Sequence, residues 1–348
     1  MIPKVFVNIV AWNSMIFLPD LLKSLENQTF VDFRVLVIDN GSDDGVCKYI
    51  QEEYPGITLI RNPRNIGFAP AHNQGIRYAL ERWGEQTNDK FVIATNPDLI
   101  LDPEFLIKII EETKKHPGVG SFGGKLLKAY QENTQDGPMR EVIKSDVIDS
   151  TGLLVRKNRT FFDRGSGEKD EGQYDDEQEV FGNSGALVMY RAKALQDVRF
   201  KDEFFDHDFF AYKEDVDLAW RLQHAGWKAM FVPSAIAHHY RSMFGKEKMN
   251  IFEKIKNRLS KSRVRSFYST RNHWSTLMKN EMFFHGLVAS PRVVVHEIAR
   301  VIYVLFFETK NISAFTQALL RTPKMIKKRK EIMKSRKVPA KEIYKWFV

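Results

Sequence analysis

The 348-residue sequence contains a single cysteine, Cys47. One thiol excludes an intramolecular disulfide and any zinc or iron–sulfur site built from several cysteines. A lone cysteine fits a reducing compartment. Long apolar runs are also missing. The most apolar late stretch, residues 287–307, is interrupted by Arg292, His296, Glu297 and Arg300. That is too much charge for a bilayer core. The chain opens MIPKVFVNIVAWN, with no long apolar segment and no cleavage site, so no signal peptide is expected. No fixed-period repeat is visible, which argues against a solenoid. The G-x-G-x-x-G fingerprint and the EF-hand spacing are absent too, which argues against a dinucleotide fold and a calcium loop.

What is present is an ordinary globular composition, 43% hydrophobic and 28% charged. The net charge of +9 is unevenly placed. Residues 1–243 carry 29 basic and 37 acidic side chains, and residues 244–348 carry 24 and 7. The first part is therefore −8 and the second +17. Such a split predicts two parts that meet different partners. Residues 321–345 alone hold 11 basic and 2 acidic side chains. Just before them, Arg292, His296 and Arg300 fall at helical spacing opposite Val295, Ile298, Val301, Ile302 and Leu305. An amphipathic helix and a polybasic run predict attachment to an anionic membrane surface, at roughly 1 kcal/mol per basic residue. The expected location is cytoplasmic, peripheral on the inner face of the plasma membrane.

The first third alternates strand and helix signals. Val5–Val10, Phe33–Ile38, Ile57–Ile60 and Phe91–Ala94 read as short buried strands. Between them, Leu18, Leu21, Leu22 and Leu25, then Val46–Glu53, then Ala69–Trp83 read as helices. This alternation predicts an α/β fold with a parallel sheet covered on both faces. Ligands in such folds sit at strand C-termini. Further on, Asp163–Glu179 reads as an acidic, Gly-rich loop or mobile excursion. Phe181–Tyr190 and Ala229–Val232 read as strands, Val216–Gln223 as a helix, and Ile251–Lys279 as a basic helical stretch.

Five segments could carry chemistry, and each has a plainer reading. Asp39 in VLVIDNGSDD could accept hydrogen bonds from a base or a ribose, although alone it reads better as a turn or cap residue, as does Asp43. The segment NPRNIGFAPAHNQGI, from Asn62 to Ile76, would let the backbone approach a ligand, but is also ordinary turn chemistry. In TNPD, Asp98 with Asn96 could hold a hard divalent ion that bridges a diphosphate; the alternative is a capping aspartate. Glu214, Asp215 and Asp217 place three acids in four positions at a helix start, where the dipole stabilises carboxylates by about 0.3–1 kcal/mol each. One of them could instead act as a general base. The pair His238-His239 could complete a metal site, against a structural or surface role.

Together these motifs resemble a family 2 inverting glycosyltransferase with a GT-A fold. The order is Asp39, NIGFAPAHNQGI, NPD, GNSGALVMYR, FFAYKEDVDLAWRL and then a histidine. The sequence is most similar to the rhamnosyltransferase-like subgroup, whose members act on lipid-linked or polysaccharide acceptors. IDSTG at 148–152, FYSTRNHW from Phe267 and the later MKN add to that likeness, which spans Lys4 to Asn280. The resemblance implies that residues 1–243 form the catalytic domain, with a nucleotide-sugar half to about 125 and an acceptor half after it. Residues 244–348 would form the basic helical region. It implies that Asp39 contacts the base and that Asn65, Gly67 and Asn73 line the nucleotide pocket with Asn96. Asp98 would bind Mg²⁺ or Mn²⁺, with His238 as the late ligand and His239 as the alternative. Asp215 would be the catalytic base, and Gly185 and Glu214 would border the sugar and acceptor. Asn96 departs from the Asp-x-Asp of many members and brings no charge.

The implied reaction is a single metal-assisted displacement from a nucleotide-sugar, with dTDP-rhamnose as the leading donor. Two other classes compete. A nucleotidyltransferase also uses acids and a metal on an α/β sheet, but no Gly-rich activation loop with a basic residue is found near the N-terminus. A nucleic-acid binder would use the basic tail, but the acidic body and the lack of an RNA-binding motif argue against a nucleic-acid partner.

Overall fold

Four strands form where short β-branched and aromatic runs predict them: β1 (Val5–Ala11), β2 (Phe33–Asp39), β3 (Thr58–Arg61) and β4 (Phe91–Thr95). The structure is a computed structural model, and it describes residues 2–133, 140–241, 263–282 and 291–348. The four strands run parallel in the order β4-β1-β2-β3. Val5, Val7 and Ile9 of β1 are buried in one core and Phe6 in another, as expected for a sheet covered on both faces. One cover comprises α1 (Leu18–Glu26), α2 (Val46–Glu53) and α4 (Phe105–Lys115). The other comprises α3 (Phe68–Trp83), α5 (Ala192–Val198) and α6 (Glu214–His224). Helix α3 lies so close to the sheet that a Cβ at Gly75 would stand 2.2 Å from Asn8 Oδ1. Asn8 in turn donates to the His72 carbonyl at 2.9 Å.

The sheet then grows from the other edge of β4. Strand β11 (Leu187–Arg191) pairs antiparallel with both β4 and β6 (Val119–Asn133). Strand β12 (Lys228–Tyr240) runs parallel to β6 and carries the short β5 (Leu99–Leu101) and β10 (Glu179–Val180). Strand β7 (Arg140–Ser150) is antiparallel to β6. A separate hairpin joins β8 (Leu153–Val155) and β9 (Phe161–Asp163). The result is the expected mixed, mainly parallel GT-A sheet flanked by helices.

Two elements differ from the sequence reading. Phe181–Tyr190 is not one strand: residues 181–186 leave the sheet between β10 and β11. The acidic stretch after Asp163 is pinned to the body. Lys125, only 4% exposed, holds Asp170 and Asp175 at 2.9 Å each. A buried ammonium needs such counter-charges, so the acids that look like a solvated loop are its partners.

The C-terminal helices are α7 (Arg263–Asn280), α8 (Pro291–Phe307), α9 (Ile312–Leu320), α10 (Thr322–Ser335) and α11 (Ala340–Tyr344). The expected domain start at residue 244 and the first part of the expected helix from Ile251 lie outside the described residues. Helix α7 packs on α6 and is joined to it by charge. Lys279 is fully buried and lies 2.5 Å from Asp206 and 2.7 Å from Asp217. Lys328 of α10 pairs with Glu203, Asp206 and Asp208. Arg321 and Lys324 reach Asp208, and Lys345 reaches Glu179. Part of the basic tail is therefore neutralised by the body, while Lys327, Lys330, Lys334 and Lys341 stay exposed. Among the described residues, no helix is long and apolar enough to cross a membrane.

Candidate active site

Helix α6 starts from a strained loop. Tyr212 and Lys213 have φ of +71° and +72°, although neither is glycine. Each such residue costs about 1–3 kcal/mol and persists only where its surroundings impose it. Here the clamp is Asn272 of α7, which is buried and donates to the carbonyls of Ala211 at 2.9 Å and Tyr212 at 2.8 Å. Its neighbour Arg271 donates to the Asp208 carbonyl at 2.8 Å.

The three acids that follow have three different environments. Glu214 is buried, and its Oε2 is enclosed without a hydrogen-bond partner. Burial, reinforced by the Asp215 charge, pushes its pKa up to about 8. The Asp215 carboxylate is half-buried and accepts from the Gly185 N–H at 3.1 Å and the Val216 N–H at 2.8 Å. A Cβ at Gly185 would lie 3.0 Å from the Asp215 Cβ, so glycine permits this approach. Asp217 is fully buried and taken up by Arg221, Lys279 and Asn280. Of the three, Asp215 is the acid open to a substrate.

Gly185 belongs to the stretch that leaves the sheet, and that stretch also meets the end of β4. The Asn96 N–H donates to the Ala186 carbonyl at 2.9 Å. Asp98 follows, and β5 pairs with β12 so that Leu99 faces His239 and Ile100 faces His238. Strand alternation sends adjacent side chains to opposite faces. His239, not the expected His238, therefore meets Asp98: its Nε2 lies 3.2 Å from Asp98 Oδ1. His238 turns towards Asp102 at 3.6 Å, and burial with Lys144 nearby lowers its pKa to about 4.

The other nitrogen of His239, Nδ1, is 2.8 Å from Asp149 Oδ2. Arg241 also donates to Asp149, at 2.8 and 3.0 Å. Burial alone would raise the Asp149 pKa, but the bonds from His239 and Arg241 hold it at about 2. Burial would likewise depress His239, yet the two aspartates raise it. Asp98 Oδ1 and His239 Nε2 are both buried, and at 3.2 Å each is the other's polar partner. A carboxylate and an imidazole placed this way suit two ligands of one cation once the imidazole gives up its proton, with Asp149 orienting the ring from behind. Among the described residues no three acid, histidine or cysteine side chains form a metal site by themselves. The fit is to a hard divalent ion that draws its other ligands from a diphosphate and water.

The expected nucleotide residues divide. Asn65 sits at the mouth of the β2 end, accepting from Asn40 and from the Gly67 N–H, both at 2.9 Å. Gly67 has φ +95°, and a Cβ there would lie 2.6 Å from the Phe210 carbonyl oxygen. Asp39 is fully buried; it accepts from the Ser42 N–H at 3.0 Å and the Cys47 thiol at 2.9 Å, with Arg61 at 3.5 Å. Burial and Asp39 push that thiol up to about 11. Asn73 does not line a pocket. It is fully buried, and its amide is spent on the backbone of Phe204 and Phe205.

Asp149 and Asn272 were not singled out as site residues. Both lie in the short polar motifs IDSTG and FYSTRNHW, so a signal existed, but their partners are set by tertiary contacts.

Residues 3–262 match the profile of the family described as Glycosyltransferase like family 2. An N-acetylglucosaminyl-diphospho-decaprenol L-rhamnosyltransferase of Mycobacterium tuberculosis (strain H37Rv) is 29% identical over 234 residues, covering 65% of this chain and 73% of the relative. Rhamnosyltransferase WbbL of Escherichia coli (strain K12) is 28% identical over 255 residues, covering 70% and 87%. Among solved structures, GalNAc-T7 with UDP, GalNAc and Mn²⁺ superposes with a TM-score of 0.56 at 12% identity, over 80% of this chain. This chain covers 48% of that one, so the likeness concerns the fold alone.

Proposed function

Because the chain belongs to glycosyltransferase family 2, we propose that it moves a sugar, with rhamnose from dTDP-rhamnose as the first candidate, from a nucleotide-sugar to a lipid-linked or polysaccharide acceptor, with inversion. Two relatives named as rhamnosyltransferases support the sugar, and the diphospho-decaprenol in one name supports the acceptor class. The observation that carries the reading is the Asp215 carboxylate, half open and fixed by the Gly185 N–H beside a Glu214 that burial keeps protonated at neutral pH.

In this reading Asp215 accepts the proton of the acceptor hydroxyl. The hydroxyl oxygen forms its bond to the anomeric carbon as the bond from that carbon to the diphosphate breaks. The electron pair leaves with the nucleoside diphosphate. Glu214, buried and neutral, adds no charge beside the base. Asp98 and His239 would hold Mg²⁺ or Mn²⁺, which when bound offsets the charge on the leaving diphosphate. Asn65 and Gly67 border the nucleotide end. The exposed apolar residues of α8 and α9 and the exposed lysines of α10 support peripheral attachment to an anionic membrane.

The test is a nucleotide-release screen of the purified chain against UDP-, dTDP- and GDP-sugars with Mn²⁺. Selective release from dTDP-rhamnose is expected. Selective use of another donor would overturn the sugar, and no release in the presence of lipid-linked acceptors would overturn the reaction.

A further inference from the structure

Strand β9 turns one face towards the start of α6. Phe161 and Asp163 alternate with Phe162, so their side chains share a face, while Phe162 is 43% exposed on the other. On the inner face the Lys213 ammonium lies 5.3 Å from the Phe161 ring, and His273 of α7 packs on the same ring at 6.3 Å. Asp163 stands one step further along that face. The neighbouring strand fixes its place. Leu153 of β8 pairs with Asp163, and the Arg164 N–H donates to the Gly152 carbonyl at 2.7 Å. The Leu153 N–H donates to the Gly182 carbonyl at 2.8 Å. Gly182 begins the short run that ends with the Gly185 N–H on Asp215. One hairpin and one loop thus bring Asp163 and Lys213 to the base.

Both groups have bonding capacity that the protein does not use. Asp163 Oδ1 is enclosed without a hydrogen-bond partner, and Ser150 is the one hydroxyl that steadies the carboxyl. A carboxylate has about four acceptor sites. Burial, then the charge of Asp149, with Asp215 adding to it, raises the Asp163 pKa above its ordinary value. The Lys213 ammonium has no ion-pair or hydrogen-bond partner among the described residues, and the charges of Asp215, Asp163 and Glu214 reach it from a distance. An ammonium only donates, a carboxylate accepts, and a sugar hydroxyl does both, so the two side chains suit neighbouring hydroxyls of one sugar. They stand on the elements that lead to Asp215, not on the β2 and β4 ends that face the nucleotide and metal.

We propose that Asp163 and Lys213 select the acceptor sugar, by binding hydroxyls beside the one that reacts at Asp215. This assignment rests on the glycosyl-transfer reading and deepens it.

The test uses the full chain and, as acceptor probe, N-acetylglucosaminyl diphosphate carrying a short alkyl chain, with its set of monodeoxy forms. Saturation-transfer NMR reads acceptor binding without turnover; donor calorimetry, thermal midpoints and transfer kinetics are read on the same samples. Asp163→Ala and Lys213→Met should each weaken acceptor binding about tenfold or more, with donor affinity and thermal midpoint unchanged. Asp163→Asn, which keeps an acceptor oxygen, should retain most of the binding. One monodeoxy form should bind wild type about tenfold more weakly than its parent, yet bind Asp163→Ala as well as its parent does, because the contact is already gone. A merely structural role would not produce that match. No binding of the probe to wild type, unchanged acceptor affinity in both variants, or a loss in donor affinity would overturn the proposal. So would a collapse of kcat at unchanged acceptor KM in Asp163→Asn, which would make Asp163 a base. Transfer that the variants leave untouched sinks only the subsite. Probe binding that needs Asp163, with no transfer from any nucleotide-sugar, sinks only the proposed reaction.

Discussion

His239 Nε2 stands 3.2 Å from Asp98 Oδ1, while the far nitrogen of the same ring is held by Asp149 at 2.8 Å. An aspartate that fixes the tautomer and direction of a ligating imidazole is worth about 10–100-fold in metal affinity. Asp149→Asn should therefore weaken Mn²⁺ binding by about that factor, and His239→Ala by at least as much. His238→Ala should change it by less than about twofold, because that ring faces Asp102. Manganese titrations followed by electron paramagnetic resonance check all three without requiring turnover. A larger effect from His238→Ala would reverse the assignment.

Asn272 closes the strained loop from a distant helix. Asn272→Ala leaves the carbonyls of Ala211 and Tyr212 without their donor, at about 1–3 kcal/mol. The expected result is a kcat reduced roughly 5–100-fold with a donor KM near wild type, since Asn272 holds the two residues that lead into the helix carrying Asp215. Steady-state kinetics read this split. A change confined to donor KM would show that the clamp serves binding.

Glu214 makes stability depend on pH in a defined direction. Its pKa rises from 4.5 to about 8 on folding, so the folded chain holds this proton more tightly than the unfolded chain. Stability from this group is fully present below about pH 4.5 and falls as pH rises towards 8. Glu214→Gln should flatten that fall. Urea unfolding at a series of pH values measures it, and parallel wild-type and variant curves would contradict it.

Lys279 is the counter-charge for Asp206 and Asp217 in a site closed to water. Removing one partner of such a cluster costs about 3–5 kcal/mol, because the remaining charges stay buried. Lys279→Met should lower the unfolding free energy by about that amount. A chain cut at Phe244 loses Lys279 and Lys328 together and should fold poorly. Denaturant midpoints and expression of the soluble chain test both outcomes; a stable short chain would mean that the helices are dispensable.

Much of the nucleotide half was legible because local pattern decides it. Short buried apolar runs mark β1 to β4, and the leucine face of α1 and the helical stretches after β2 and β3 mark the helices between them. The position of Asp215 at the start of α6 was legible for the same reason. Choices made by tertiary contact were not. His238 and His239 are equivalent in the sequence, and only the β5–β12 register gives His239 to Asp98. Asn73 looks like a pocket residue beside a glycine, yet its amide is used by a loop 131 residues away. The acidic run after Asp163 looks free because Lys125, its partner, lies on β6, a strand the sequence reading does not place, 45 residues before Asp170. The basic tail looked like one membrane address, but Lys328 and its neighbours close the buried cluster below the active site.

The central claim is that Asp215 takes the acceptor proton, and Asp215→Asn tests it most directly. Asparagine keeps the shape and can keep a contact with the Gly185 N–H but cannot accept the proton, a contribution of roughly 10²–10⁴ in rate. Calorimetry of nucleotide-sugar binding should then match wild type while sugar transfer falls by at least 100-fold. Transfer within a few-fold of wild type, at equal donor affinity, would remove Asp215 from the role of base.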